Sequence, residues 1–352
     1  MPEGHTVHRL AAAFEADFAG QRVRVASPQG RFAAEAERLD GQVLLGAEAV
    51  GKHLLLAFAP SDDVAPDDPA ASLVHVHLGL YGSWTFAGDD GFAAAHAIGA
   101  PRRRIGEQET AVRVEADAEG EERDAAADWR RIVPRDTVRV RLAGAHGLAD
   151  LTGPTACELY DQAQRTELLA RLGPDPLRED ADAERFVARV RSSRTPIGTL
   201  LMNQDVIAGV GNIYRAEALF RARLDPWVPG RELGAPLVRG IWDDLAVLMA
   251  YGARTGRIVT TQPEHRDIEA RIIERSRGPQ QNGVDEAGVV PREKSFYVYH
   301  RQTLPCRVCG TTVRSADMAG RTVFWCPRCQ GTRTRRAAWT LEHPADAWAL
   351  EA

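Results

Sequence analysis

Cysteine is scarce in this chain: five in 352 residues are too few to staple a protein of this size, which excludes a disulfide-framed secreted scaffold. Long apolar runs are missing as well, and none approaches the roughly 20 residues that cross a bilayer as a helix. The opening Met1-Pro2-Glu3-Gly4-His5-Thr6 has neither the basic stretch nor the apolar core of a secretory signal. These absences predict a soluble, cytoplasmic protein with no membrane partner. A hydrophobic content of 44% is enough to fill a core in each of the two or three domains that such a length suggests.

An excess of positive charge is also lacking. The formal net charge is −5, which at face value speaks against a nucleic-acid partner, but the residue order shows a segregation. Residues 60–128 hold 15 acidic against 5 basic side chains, so the remainder is net positive. From Val190 to the end, 23 Arg or Lys face 17 acids, and nearly all of the basic ones are Arg. A basic body with an acidic insertion suits phosphate binding. Charge alone is better explained by a solvated arginine-rich face.

The periodicity of apolar residues divides the chain by class. Val7, Leu10, Ala11, Phe14 and Phe18 share one helical face over residues 6–19. Short glycine-punctuated stretches follow at 22–26, 42–50, 53–58, 73–78, 83–86 and 137–142, several alternating with period two, as in Leu73-Val74-His75-Val76-His77-Leu78. This pattern predicts an antiparallel β-sandwich flanked by helices over residues 1–150, within an α+β multidomain protein. An acidic insertion at about 88–134 interrupts it without periodicity of its own. A turn at 151–154 and helical periodicity from Glu158 onward place a helical domain at 151–265, with helices at 183–191, from Thr195-Pro196 to about Gln204, at 213–223 and at 237–251. A flexible linker is expected at 266–295, a four-cysteine finger at 296–335 and a tail at 336–352.

Four of the five cysteines form two knuckles, Cys306-x-x-Cys309 and Cys326-x-x-Cys329, separated by the spacing of a tetrahedral zinc site. Four thiolates leave no open position, so one structural Zn²⁺ is the implied cofactor. Strands expected at 311–314 and 322–325 make a β-hairpin between the knuckles, with Gly320-Arg321-Thr322 at its tip. Arg321 there, with Arg307, Arg314 and Arg328 nearby, either clamps a phosphate or offsets the thiolate charge. The remaining cysteine, Cys157, reads as a small buried hydrophobe.

Two further features carry chemistry only in company. Gly209-Val210-Gly211-Asn212 leads into a helix whose first amides are unpaired, which describes either an anion site or a plain turn. Pro2 followed by Glu3 lies just ahead of a helix. Removal of Met1 would expose a secondary amine able to attack a sugar carbon, with a carboxyl group beside it for proton transfer. Many chains also begin with Met-Pro for no chemical reason.

Taken together, the chain resembles the formamidopyrimidine-DNA glycosylase/endonuclease VIII family, most of all the endonuclease VIII branch. The likeness rests on Pro2-Glu3-Gly4-His5-Thr6, Gly51-Lys52-His53, His77-Leu78-Gly79-Leu80-Tyr81-Gly82, Leu172-Gly173-Pro174-Asp175-Pro176-Leu177 through Gly209-Val210-Gly211-Asn212-Ile213-Tyr214, and Arg321-Thr322 with Cys326-Pro327-Arg328-Cys329-Gln330. It implies a helix-two-turn-helix DNA-binding domain beside the sandwich and a β-hairpin zinc finger. The implied activity is base excision repair by a bifunctional DNA glycosylase and abasic-site lyase, acting as a monomer on double-stranded DNA that holds damaged bases or abasic sites. By this likeness Pro2 attacks C1′ of the damaged nucleotide, Glu3 moves the proton that opens the sugar, and Lys52 binds phosphate and assists. Leu80 and Tyr81 fill the space left by the extruded nucleotide, and Asn212 and Arg321 grip the flanking phosphates. Gly79 stands where the branch often carries glutamine, and the Arg-Phe wedge of the other branch is not evident between Arg135 and Pro154, which points to oxidised pyrimidines. Two alternatives remain: an oxidised-purine glycosylase, and a non-catalytic zinc-finger DNA-binding protein on the same scaffold.

Overall fold

The computed structural model describes residues 2–95, 97–99, 129–266 and 290–331. The chain divides into two compact units, Met1–Arg171 and Leu172–Ala352.

The first unit opens with α1 (Gly4–Phe18), followed by β1 (Gln21–Arg22), β2 (Arg24–Ala26), α2 (Ala33–Leu39), β3 (Val43–Val50), β4 (His53–Ala59), β5 (Ser72–His77) and β6 (Ser83–Gly88). After β7 (Ala97–Gly99) come β8 (Val138–Ala143), β9 (Gly147–Thr152), β10 (Ala156–Tyr160) and α3 (Gln162–Arg171). Two antiparallel five-stranded sheets result. Sheet A has the order β1-β3-β4-β5-β10 and sheet B the order β2-β8-β9-β6-β7. Residues one apart on each strand face opposite ways, so Leu54, Leu56, Val74 and Val76 of one sheet and Trp84, Phe86, Val140 and Leu142 of the other fill a common core. The apolar stripe of α1 closes that core: Val7, Leu10, Phe14 and Phe18 are buried, and Phe14 meets Trp84 edge to face with ring centroids 4.8 Å apart.

Several expectations are corrected here. The sandwich does not end at residue 150, and no helix begins at Glu158. Thr152 still pairs with Ser83, and Cys157 pairs with Val76 on β5. Cys157 and Leu159 alternate with Glu158 and Tyr160, so a half-buried edge strand wins over the helical pattern, and the first unit runs to Arg171. The stretch expected at 22–26 is split between the sheets, with β1 on sheet A and β2 on sheet B. The acidic insertion at 88–134 lies largely outside the described residues, yet its margins are packed. Phe92 meets Phe18 at 5.5 Å, β7 pairs with β6, and Trp129 is buried.

The second unit is helical: α4 (Ala183–Arg191), α5 (Ile197–Leu200), α6 (Asn212–Arg221) and α7 (Ala235–Thr255). Asp182 caps α4, accepting from the amides of Glu184 and Arg185. The helix expected from Thr195 to Gln204 is only four residues long. Past Leu200 the side chains of Asn203 and Gln204 accept from the amides of Asp205 and Gly209, and these local bonds compete with helix continuation. The Leu172-Gly173-Pro174 segment packs against that turn through Gly173 N–H to Gln204 O at 2.8 Å and Ala208 N–H to Pro174 O at 3.0 Å.

Of the linker expected at 266–295, residues 267–289 are outside the described set. Its end is not loose: α8 (Arg292–Ser295) follows Pro291, and Ser295 O accepts from the amide of Thr260 at 2.9 Å. The chain then passes through Phe296, Tyr297, Val298 and Tyr299, all within the helical core. The hairpin consists of β11 (Arg314–Met318) and β12 (Arg321–Trp325). Its first strand starts later than expected, because Thr311 is held at the knuckle by the amide of Cys306 at 2.9 Å. Arg321 begins β12 rather than capping the tip, which Ala319 and Gly320 form. The expected tail at 336–352 lies outside the described residues.

Candidate active site and zinc centre

In the first unit, Pro2 and Glu3 are buried at the head of α1, where Glu3 is the cap residue and its carbonyl accepts from Thr6 N–H at 3.0 Å. The helix they introduce is locked into the sandwich by its apolar face, so these two residues are held by folded structure. His5, in the same first turn, is pressed to about 3 by burial and then by positive charge nearby that includes Arg9, and its imidazole is neutral. Lys52 is one of only two lysines in the chain. It sits in the two-residue turn that joins β3 to β4, where Val50 pairs with His53 and Gly51 has φ +59°.

Leu80 and Tyr81 lie in the loop between β5 and β6 and are 45% and 75% exposed. They are two adjacent apolar side chains on a solvated loop, as exposed as Ile132 and Val133 at 41% and 83%. Alternation alone would have put them in the core, but β5 ends at His77. Gly79 explains the loop's shape: its φ is +65°, and a Cβ there would lie 1.8 Å from Thr155 Oγ1. Glutamine at this position would be strained on this backbone and would have to displace Thr155. His77 bridges the two features, since its Nδ1–H donates to the carbonyl of Lys52 at 2.9 Å at the point where the loop begins.

In the second unit the fold brings Asn212 to the strand of Arg321. Asn212 is the first residue of α6, capped by Gly211, and its Nδ2 donates to the carbonyl of Thr322 at 3.0 Å. Arg215, fully buried one turn along, donates to the same carbonyl at 3.0 Å and to Asn212 Oδ1. That bond to Arg215 makes Oδ1 the acceptor and leaves Nδ2–H₂ as the donor side of the amide. Arg321, next to Thr322, is exposed. Arg307 donates to the backbone carbonyls of Phe296 and Glu293.

The four cysteines converge. Their sulfurs lie within 4.8 Å of one another, with Cys306 to Cys329 at 3.9 Å and Cys309 to Cys326 at 3.4 Å. A tetrahedral zinc with bonds of about 2.3 Å sets its ligand sulfurs about 3.8 Å apart, so the donor set fits one structural Zn²⁺. The Cys329 amide points at Cys326 Sγ. Buried Gln330 ties the second knuckle to the helical core, accepting from the Cys326 amide and donating to Leu224 O, each at 2.9 Å. Cys157 stands apart as a buried thiol, pushed up to about 12 by burial.

Sequence reasoning overlooked Arg215, which lay in view inside a quoted helix, and the pair His53 and His75. The latter signal was present in the polar positions of an alternating strand.

Comparison with known proteins agrees with this layout. Residues 1–133 match the model of the formamidopyrimidine-DNA glycosylase N-terminal domain, 172–263 the formamidopyrimidine-DNA glycosylase H2TH domain, and 304–331 the zinc finger found in FPG and IleRS. Endonuclease 8 1 of Mycobacterium tuberculosis is 41% identical over 336 residues, covering 94% of this chain and all of that protein. Formamidopyrimidine-DNA glycosylase of Thermus thermophilus is 37% identical over 164 residues, 47% of this chain and 55% of the relative. A solved complex between the Lactococcus lactis Fpg and an abasic site containing DNA shares the fold, with a TM-score of 0.61 at 20% identity over 94% of this chain and all of that one. The 41% identity to the mycobacterial protein over 94% of this chain and all of that one, with three domain models matched in order along this chain, shows that it belongs to the formamidopyrimidine-DNA glycosylase/endonuclease VIII family of DNA glycosylases and abasic-site lyases.

Proposed function

We propose that this protein excises oxidised bases from duplex DNA, pyrimidines in preference, and cuts the strand at the resulting abasic site by β,δ-elimination. The observation that carries the reading is the placement of Pro2 and Glu3, buried together at the head of a helix anchored in the sandwich core. With Met1 removed, Pro2 carries a secondary amine whose ordinary pKa of about 7.7–8.0 leaves a neutral fraction at physiological pH. Its nitrogen attacks C1′, and the C1′–base bond breaks with its electrons going to the base. The Glu3 carboxylate takes the amine's proton and passes it to O4′ as the sugar opens, the departing base takes a proton from water, and an iminium links Pro2 to C1′. Loss of a C2′ proton then expels the 3′ phosphate. A second elimination expels the 5′ phosphate, and water releases the enzyme.

Lys52 meets a phosphate near the lesion, and Asn212 and Arg321 grip phosphates flanking the extruded nucleotide. Exposed Leu80 and Tyr81 fill the gap in the stack. The preference for pyrimidines draws support from this Leu-Tyr pair and from the likeness to an endonuclease 8. Zinc has no part in the chemical steps, since four cysteines saturate it.

Borohydride reduction on abasic-site duplex, with the attached residue mapped, tests the mechanism: the expected adduct is at Pro2. No adduct from protein whose Met1 is shown to be removed overturns it. Excision of thymine glycol and 8-oxoguanine from matched duplexes tests the preference, and faster release of 8-oxoguanine moves the substrate to oxidised purines.

A further inference from the structure

Sheet A carries a ladder of rings that the mechanism above does not use. His53 and His77 are direct cross-strand partners on β4 and β5, and His75 lies two residues from His77, so all three share one face. On β10, Glu158 is opposite His75, with Tyr160 two residues farther along. The rings stack in the order Tyr160, His75, His53, His77, with centroids 4.4, 5.1 and 4.9 Å apart and planes within 29° of parallel. His75 is 3% exposed.

Two hydrogen bonds fix the tautomers of these rings, and His53 meets His77 by stacking. A carbonyl only accepts, so the contact with Lys52 O puts the proton of His77 on Nδ1. Glu158 stands 3.6 Å from Nδ1 of His75, too far for a hydrogen bond but near enough to favour a proton there. Nε2 of neutral His75 is then a lone pair, and it accepts from Nδ1–H of His53 at 2.8 Å. The three rings thus share one tautomer. Two of them are held neutral: burial first, then the neighbouring rings, Arg171 and Lys52, hold His53 at about 3, and burial keeps His75 below its ordinary value against the pull of Glu158. Tyr160, raised by burial and then by Glu158, is likewise neutral.

The ladder ends on a backbone carbonyl, which accepts a hydrogen bond but passes no proton on. It therefore holds position and is no proton relay. What it holds is the turn of Lys52, flanked in sequence by His53 and bonded from behind by His77. We propose that His53 and His75 are positioning residues for Lys52, fixing the backbone of its turn through His77 so that the ammonium meets a DNA phosphate in a single pose. Neutral His53 and His75 do this without repelling the lysine. The proposal rests on the phosphate-binding reading of Lys52 and adds two residues to it.

The test is single-turnover borohydride trapping on abasic-site duplex by the full-length, zinc-loaded protein near neutral pH. His75→Leu removes the acceptor, and His75→Gln supplies an amide oxygen in its place. His75→Leu is expected to slow trapping at saturating DNA about tenfold, as small misplacements of a catalytic group do, with melting midpoint and zinc content kept. His75→Gln should return to within about twofold of the parent, and on a Lys52→Ala background His75→Leu should add nothing. Unchanged trapping in His75→Leu, a glutamine no better than leucine, or the same further loss without Lys52 overturns the proposal. Should His75→Leu fail to fold, Glu158→Gln, with its side chain 58% exposed, replaces it, and equal trapping by that variant and the parent has the same force. If the parent forms no adduct, the lyase mechanism fails by itself. The ladder is then decided by ring ¹⁵N spectra and by affinity for abasic-analogue DNA. Nδ1–H on all three histidines with a Lys52-dependent loss of affinity in His75→Leu sustains it, and Nε2–H on His77 or unchanged affinity overturns it.

Discussion

Replacing Glu217 by glutamine should loosen the attachment of the zinc module to the helical domain. Glu217 is fully buried in α6, and its carboxylate accepts from four donors. Oε1 takes the amides of Val298 and Tyr299 at 2.9 and 2.8 Å, and Oε2 takes the Tyr297 amide at 2.8 Å and the hydroxyl of Thr260. Three successive backbone amides thus converge on one side chain. Next to it, Arg221 binds Asp244 through two bonds of 2.7 and 2.6 Å and donates to Thr260 O at 2.8 Å. Glutamine keeps one oxygen, but its NH₂ faces two donors. Two charge-assisted bonds of about 1.5–3 kcal/mol each are lost, and a buried charge cluster is left unbalanced, so a cost of about 3–5 kcal/mol follows. For a unit of this size that lowers the melting midpoint by about 6–20 °C. Denaturant unfolding together with hydrogen exchange at Tyr297, Val298 and Tyr299 measures it, and zinc release to a chelator should quicken. An unchanged midpoint with full protection of those three amides would refute the reasoning.

Three other outcomes follow from single features. Gly79→Ala should cost about 1–3 kcal/mol through its positive φ and the approach to Thr155, and adding Thr155→Ala should recover only the steric part; a thermal melt equal to the parent's contradicts the geometry. Arg321→Ala should weaken DNA binding and reduce the salt slope by about one, with fold and zinc content intact, and identical affinities across a salt series would remove its phosphate contact. Acid should destabilise the first unit through His5 and His53. Both are held near 3 when folded but take up protons near 6.5 when unfolded, so their contribution is complete above pH 6.5 and is lost as pH falls from there toward 3. A denaturant midpoint whose pH dependence over that window is the same in His53→Asn as in the parent argues against this.

The zinc centre was legible in the sequence because ligand type and spacing are local properties, and two pairs of cysteines, each pair separated by two residues, have few other uses. The strands of the sandwich were legible wherever alternation was clean, as at 53–58 and 73–78, and the helix at the start of the chain showed its apolar stripe. The motifs scattered from Pro2 to Gln330 carried the family resemblance without any knowledge of distance. Tertiary structure decided what depends on pairing between distant segments. Cys157 and Leu159 became strand because β5 offered them an open edge, an outcome that no local periodicity contains. Leu80 and Tyr81 became exposed because β5 stops at His77 and Gly79 turns the chain over Thr155. Asn212 acquired its orientation from a carbonyl 110 residues away, and His53 its partner from a strand 22 residues on. Side-chain direction along a helix or strand is written in the sequence, whereas strand register and the groups that face one another across it arise only when the chain has closed on itself.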